Sequence, residues 1–177
     1  MALRVVTPPA ASLVTLSAAK EHLHLDAIDE DPLVRDLIEV ATERVEAFTQ
    51  RRYLTQVLEW VLPCWRAELR LPVAPVQSVH SITYIDSAGA AQTLAPSAYV
   101  VSPSGQTKAI RPRSGATWPA LDPDATEAVV VRFTAGAASA PASARQAALL
   151  WIGALHADRE APEPPPVAGL LMDETWS

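Results

Sequence analysis

Residues 31–62, DPLVRDLIEVATERVEAFTQRRYLTQVLEWVL, contain the change of hydrophobic period on which the fold turns. In the first part Leu33, Leu37, Ala41 and Val45 recur at i, i+4 spacing with Val34, Ile38 and Phe48 beside them, while Arg35, Glu39, Glu43 and Glu46 fall on the wet side. That spacing predicts an amphipathic helix with one buried stripe. Asp31 is placed to cap it, and Pro32 stands at the first helical position, where a missing amide costs nothing. The helix is expected to run to about residue 49. From Val57 the pattern alternates instead: Leu58, Trp60 and Leu62 point one way and Glu59 the other, which is the period of a strand.

Upstream, Leu16-Ser17 followed by AAKEHLHL predicts a short helix, with Ser17 as the cap, Leu16 as the apolar residue packing before it, and an end near Leu25. Downstream, short strands are expected at 69–71, 79–85, 92–94, 99–101, 109–111 and 128–133. Asp86-Ser87-Ala88-Gly89 reads as a hairpin turn in which Gly89 takes the positive φ that such loops need. The 16 prolines concentrate at 63–123 and 162–166 and break the strands into the pattern of a small antiparallel sandwich or barrel. Helical spacing returns near Pro141, where Ala144, Ala148, Trp151, Ile152 and Leu155 share a face up to about residue 159. The fold class is therefore α+β: a small core of about three helices, an inserted antiparallel β lobe and an extended C-terminal tail. The segments are 1–56 helical, 57–136 β insert, 137–160 a helix returning onto the N-terminal helices, and 161–177 a Pro-rich tail.

With 177 residues, 49% of them hydrophobic, the chain can form a core, but the abundance of Ala makes it a thin one. A single cysteine, Cys64, excludes an intrachain disulfide framework and a thiolate metal cluster, and fits cytosolic synthesis. The N-terminal stretch is interrupted by Pro8 and Pro9 and is too short for a secretory core or a membrane span. A net charge of -6 disfavours wrapping by a polyanion. Residues 57–140 carry six basic and six acidic side chains, so the negative charge lies in the two flanking parts.

No constellation for catalysis, cofactor binding or metal ligation stands out. His22 and His24, two apart on a helix, point in nearly opposite directions and cannot make an i, i+4 metal pair. His80 and His156 have no partner in sequence. Ser104-Gly105 and Ser114-Gly115 sit in Pro-flanked turn sequence and lack the nucleophile-elbow pattern. The six glycines show no phosphate-cradling spacing. Asp26, Asp29, Glu30 and Asp31 lack the glycine and spacing of an EF-hand loop. Arg51 and Arg52 are accounted for by their favourable place at a helix C-terminus.

The tail asks for a partner of some kind. Pro164, Pro165 and Pro166 hold an extended polyproline conformation, and beyond them Val167, Leu170, Leu171, Met172 and Trp176 are apolar. Two placements are open to these five residues: a fold-back over the chain's own core, or a linear segment docking on another subunit. The stiff spacer favours docking.

The order of segments resembles the head-tail connector, or adaptor, proteins of long-tailed bacteriophages and of phage-derived gene transfer agents. The resemblance is carried by residues 16–62, then LRLPVAPVQSVHSITYID at 69–86, VVVRFTAG at 129–136 and ARQAALLWIGALHADRE at 144–160. It implies a non-catalytic protein that assembles as a ring of about a dozen copies under the portal. The ring joins head to tail, meets a tail-side connector or stopper protein, and leaves a channel through which DNA passes without specific binding. It also implies assembly in the bacterial cytoplasm followed by residence at the head-tail junction of the particle, with no membrane and no cofactor. To the tail residues Val167, Leu170, Leu171, Met172 and Trp176 it assigns the portal contact. A second class of function is a ligand-binding module in which the β lobe recognises a carbohydrate or peptide through Trp60, Trp65, Tyr84, Tyr99 and Trp118; these mostly alternate as core residues do. A hydrolase would be a third, and would need a nucleophile and base that the sequence does not present.

Overall fold

The computed structural model describes residues 1–102, 107–158, 167, 169 and 171, and the chain divides into two units. The β unit takes residues 1–8 and 55–136, and the helical unit takes 9–54 and 137–177.

In the β unit the alternation that begins at Val57 becomes β2 (Gln56–Leu62), preceded by β1 (Ala2–Thr7) and followed by β3 (Leu69–Arg70), β4 (Val76–Ile85), β5 (Ala91–Thr93), β6 (Tyr99–Val101), β7 (Ala109–Pro112) and β8 (Val129–Ala135). Five strands form an antiparallel sheet in the order β1-β2-β8-β4-β5, and three form a second sheet in the order β3-β7-β6. Leu58, Trp60 and Leu62 of β2, Ile82 of β4, and Val131 and Phe133 of β8 are buried in one core with Leu69, Tyr99 and Ile110 of the smaller sheet. The two sheets thus share a sandwich-like core and do not close into a barrel. Between β4 and β5 the Asp86 carboxylate accepts the amides of Ala88 and Ala90 and the side-chain amide of Gln92, and Gly89 has φ +77°. Those hydrogen bonds hold the Asp86 carboxyl below the usual carboxylate range, the contribution of Gln92 being the largest.

β1 is the strand that the sequence pattern leaves out. It pairs with β2 from Ala2 opposite Val61 to Val5 opposite Leu58, then bulges between Val5 and Thr7. As an edge strand it is exposed at all positions except Leu3, so its outer side chains carry no buried-face alternation to read.

In the helical unit, α1 (Leu16–Leu23) is capped by Thr15 and not by Ser17: the Thr15 backbone is extended and its hydroxyl accepts the Ala18 amide at 3.2 Å. Leu16 is thereby the first helical residue. His24, left-handed at φ 57°, ends the helix. The α2 helix (Asp31–Thr49) has Glu30 in the cap position, with no side-chain capping bond, and Pro32 in its first turn. Asp31 therefore lies inside the helix, and its carboxylate accepts Lys20 Nζ at 2.6 Å. The left-handed Gln50 closes α2.

The buried stripe of α2 consists of Val34, Ile38, Ala41, Val45 and Thr49. It is rotated from the expected Leu33-Leu37-Ala41-Val45 line: Leu33 and Phe48 are exposed and Leu37 is only partly buried. Opposite α2, α3 (Ala142–Ala157) buries Ala144, Ala147, Ala148, Trp151, Ile152 and Leu155. Trp151 also receives the Arg44 guanidinium over its ring, Cζ lying 4.4 Å from the centroid. Among the described residues no helix is long and apolar enough to cross a membrane.

Candidate docking surfaces

The tail residues named from sequence fall into two groups. Val167, Gly169 and Leu171 are helical, and Val167 and Leu171, four apart and so on one helical face, are both 0% exposed within the core formed by α1, α2 and α3. These two apolar side chains serve the chain's own helical unit. Gly169 is exposed, with open space where a Cβ would stand. Leu170, Met172 and Trp176, and the spacer Pro164, Pro165 and Pro166, lie outside the described residues.

A groove of about 710 Å³ runs beside α1 and the start of α2, lined by Leu16, Lys20, Glu21, His24, Asp26 and Asp31 among others. Its cation is already engaged, because Lys20 Nζ donates to Asp31 Oδ1 at 2.6 Å and to the Ala27 carbonyl at 2.8 Å. Asp31 also faces Arg35 at 3.8 Å. This network ties the end of α1 to the start of α2 and leaves no unpaired charge on Lys20 for a ligand.

The histidines are dispersed. His22 on α1 lies against Gly153 of α3: a Cβ on Gly153 would stand 3.2 Å from His22 Nε2. His24 is the left-handed cap, His156 is exposed in the last turn of α3, and His80 Nε2 meets Thr134 Oγ1 at 2.6 Å across β4 and β8. Among the described residues no three His, Cys, Asp or Glu side chains are grouped to hold a metal ion.

Three aromatic residues of the β unit do come together. Trp65 and Trp118 stack at 4.6 Å between centroids with 8° between planes, and Tyr84 meets Trp65 at 5.8 Å. Trp65 Nε1 donates to the Pro119 carbonyl at 2.9 Å and Trp118 Nε1 to the Arg66 carbonyl at 2.7 Å. Both indole donors and the facing ring surfaces are thus spent on joining two loops. Trp60 and Tyr99 are core residues, so the aromatic side chains expected for a ligand surface act largely in packing.

At the C-terminal end of α2, Glu46 is partly buried and not on the wet face. It pairs with Arg52 at 3.1 Å and accepts the Tyr53 amide at 3.1 Å. Burial pushes its carboxyl above the usual range, outweighing the opposing pull of Arg52 and of the Tyr53 amide.

Two further surfaces were not marked by sequence reasoning. On α2, beside the buried stripe, Leu33, Val40 and Phe48 are 41%, 39% and 42% exposed. They lie along one side of the helix with Leu37 and Ala47, at i, i+4, i+7, i+14 and i+15 from Leu33, and the exposed Arg44 at i+11 interrupts the line between Val40 and Phe48. On the β unit, Met1, Val5 and Val6 are exposed along the open edge made by β1.

The chain is similar in structure to chains of gene transfer agent (GTA) particles. Against a chain of the neck of an empty GTA particle computed with C6 symmetry, the TM-score is 0.81 at 22% identity, covering 98% of this chain and 95% of that one. Against a chain of the virion of a native GTA particle it is 0.77 at 24% identity, covering 98% and 94%. Against a chain of the neck of a native GTA particle computed with C12 symmetry it is 0.76 at 24% identity, with the same coverage. These likenesses show that the two-unit fold is common to all of them. No family model and no curated protein matches the chain.

Proposed function

We propose that this protein is a structural head-tail adaptor of a phage or gene transfer agent particle. It assembles as a ring under the portal, joins head to tail through a tail-side connector or stopper protein, and leaves a central channel for DNA. One observation carries the reading: a structural likeness to a GTA neck chain at TM-score 0.81, covering 98% of this chain and 95% of that one. The segment order in the sequence supports the same reading independently. So does the charge distribution, because acidic flanking parts suit a wall past which DNA slides without binding. The role is mechanical and uses no catalytic residue.

Assembly takes place in the bacterial cytoplasm and the ring then stays at the head-tail junction. The portal contact belongs to the 167–177 segment. Because Val167 and Leu171 are already buried in the helical unit, the contact is proposed to rest on Leu170, Met172 and Trp176.

The test is deletion of the gene in a particle-producing strain, followed by electron microscopy. Filled heads without tails, restored to complete particles by the wild-type gene, are expected. Complete particles in normal yield from the deletion strain would overturn the reading.

A further inference from the structure

β4 breaks its alternation near its start, where Val76 is buried but Gln77 and Ser78 are both exposed. The register gives the reason: Val76 stands opposite Ala135 and Ser78 opposite Thr134, so Gln77 is the extra residue of a bulge. A bulged residue is released from the ladder and its side chain is re-aimed. Here it meets two other segments at once, because Gln77 Nε2 donates to Thr55 Oγ1 at 3.0 Å and to the Gly136 carbonyl at 2.8 Å. A carbonyl only accepts, so the amide nitrogen of Gln77, and not its oxygen, must face Gly136. The bulge is itself held in place by Lys108 Nζ, which donates to the Gln77 carbonyl at 2.7 Å.

Thr55 and Gly136 are the first and last residues of the 55–136 stretch of the β unit. Thr55 immediately precedes β2 and Gly136 immediately follows β8. The β2–β8 ladder extends to Gln56 opposite Ala135 and stops one residue short of both. At Gly136 the chain turns with φ +106°, a conformation that suits glycine, and the Gly136 amide donates to the Pro75 carbonyl at 2.9 Å. The Gln77 amide thus bridges the pair of residues that follows the last rung of the ladder.

We infer that Gln77 is a latch: its single side-chain amide ties the point at which the chain enters this stretch of the β unit to the point at which it leaves, so that the two ends open together. Glutamine suits the task because one nitrogen donates two hydrogens, one to each end. Two hydrogen bonds at a partly exposed site are weak enough to be released while the sheet stays folded. The device is local to the ends of β2 and β8 and does not depend on the adaptor reading.

Hydrogen exchange of the full-length protein at pH 7, read by mass spectrometry on peptides spanning 53–58 and 134–139, tests it. Gln77→Leu is expected to speed exchange in both peptides about threefold to tenfold, the loss of two ordinary hydrogen bonds. Peptides spanning 2–7 and 80–85, and the melting temperature, should stay near wild type. Gln77→Glu keeps the size of the side chain but has no hydrogen to donate to a carbonyl at this pH, and should match Gln77→Leu. Wild-type exchange at either end in Gln77→Leu, or wild-type protection of both ends in Gln77→Glu, would overturn the latch. Faster exchange spread evenly over the sheet, together with a lower melting temperature, would overturn it in favour of a bulge that serves only the stability of the sheet.

Discussion

Arg44 of α2 lays its guanidinium over the ring of Trp151 of α3, with Cζ 4.4 Å from the ring centroid. Trp151 is buried in the core of the helical unit, so the cation covers a core ring. Arg44→Ala is expected to cost about 1 kcal/mol, the usual size of a partly exposed cation-π contact. Trp151→Ala should cost about 3 to 5 kcal/mol because it also leaves a cavity. Arg44→Lys should fall between wild type and Arg44→Ala. Melts followed by circular dichroism at the helical band check the ranking; an Arg44→Ala loss equal to that of Trp151→Ala would mean that the guanidinium is the main support of the ring.

Glu46 supplies a pH test. Its carboxyl titrates above the ordinary value of 4.5 in the folded protein because it is buried. A group raised in this way favours folding fully at pH below the unfolded value, and that contribution is lost as pH rises through the folded value. Glu46→Gln has no such titration and keeps a side-chain carbonyl that can accept the Tyr53 amide. The melting temperature of Glu46→Gln minus that of wild type should therefore increase from pH 4 to pH 7. A decrease over that interval would show that the ion pair with Arg52 outweighs the cost of burying the charge.

The extent of α2 was legible because its ends carry chemical marks, Pro32 in the first turn and a break in the apolar period after Thr49. Its rotation was not. The apolar residues of α2 cover a wide arc from Leu33 and Val40 through Phe48 to Val34 and Ile38, and periodicity alone does not say which side of such an arc meets α3. The surplus side is the exposed line of Leu33, Val40 and Phe48. β1 escaped notice for a related reason, since an edge strand need not bury alternate residues. In the tail, the i, i+4 pair Val167 and Leu171 is itself a helical signal. The three prolines before it directed the reading towards an extended segment, whereas the structure returns those two side chains to the core.

Gly153 lies within α3, where glycine costs roughly 1 kcal/mol relative to alanine through backbone entropy. The obstacle to a methyl group is His22 Nε2 at 3.2 Å, the far end of an exposed side chain that can shift by a few tenths of an ångström. Gly153→Ala should therefore stabilise the protein by about 0.5 to 1 kcal/mol. A bulkier Gly153→Val should destabilise it, because the added methyl groups cannot be accommodated by so small a movement of His22. Chemical denaturation of both variants decides, and a loss of stability in Gly153→Ala would show that His22 is held in place.

The tail allows structure and attachment to be separated. Val167 and Leu171 are wholly buried with α1, α2 and α3, so Leu171→Ala should cost about 2 to 5 kcal/mol and Val167→Asp more, since it buries a charge without a partner. Truncation before residue 167 removes both and should lower the melting temperature of the isolated protein. Under the adaptor reading Trp176→Ala acts on another property, weakening co-sedimentation with portal-bearing heads at equal folded concentration, because a buried aromatic anchor commonly dominates an interface. Asp173→Ala, the removal of a charge, should weaken it less. The measurement pairs a melt with a sedimentation assay for each variant. Binding lost in strict proportion to the unfolded fraction, for Trp176→Ala as for Leu171→Ala, would mean that the tail only completes the helical unit and that the portal is met elsewhere. Binding lost in Trp176→Ala with its fold intact would mean that one segment performs both tasks, Val167 and Leu171 completing the core and Trp176 meeting the portal.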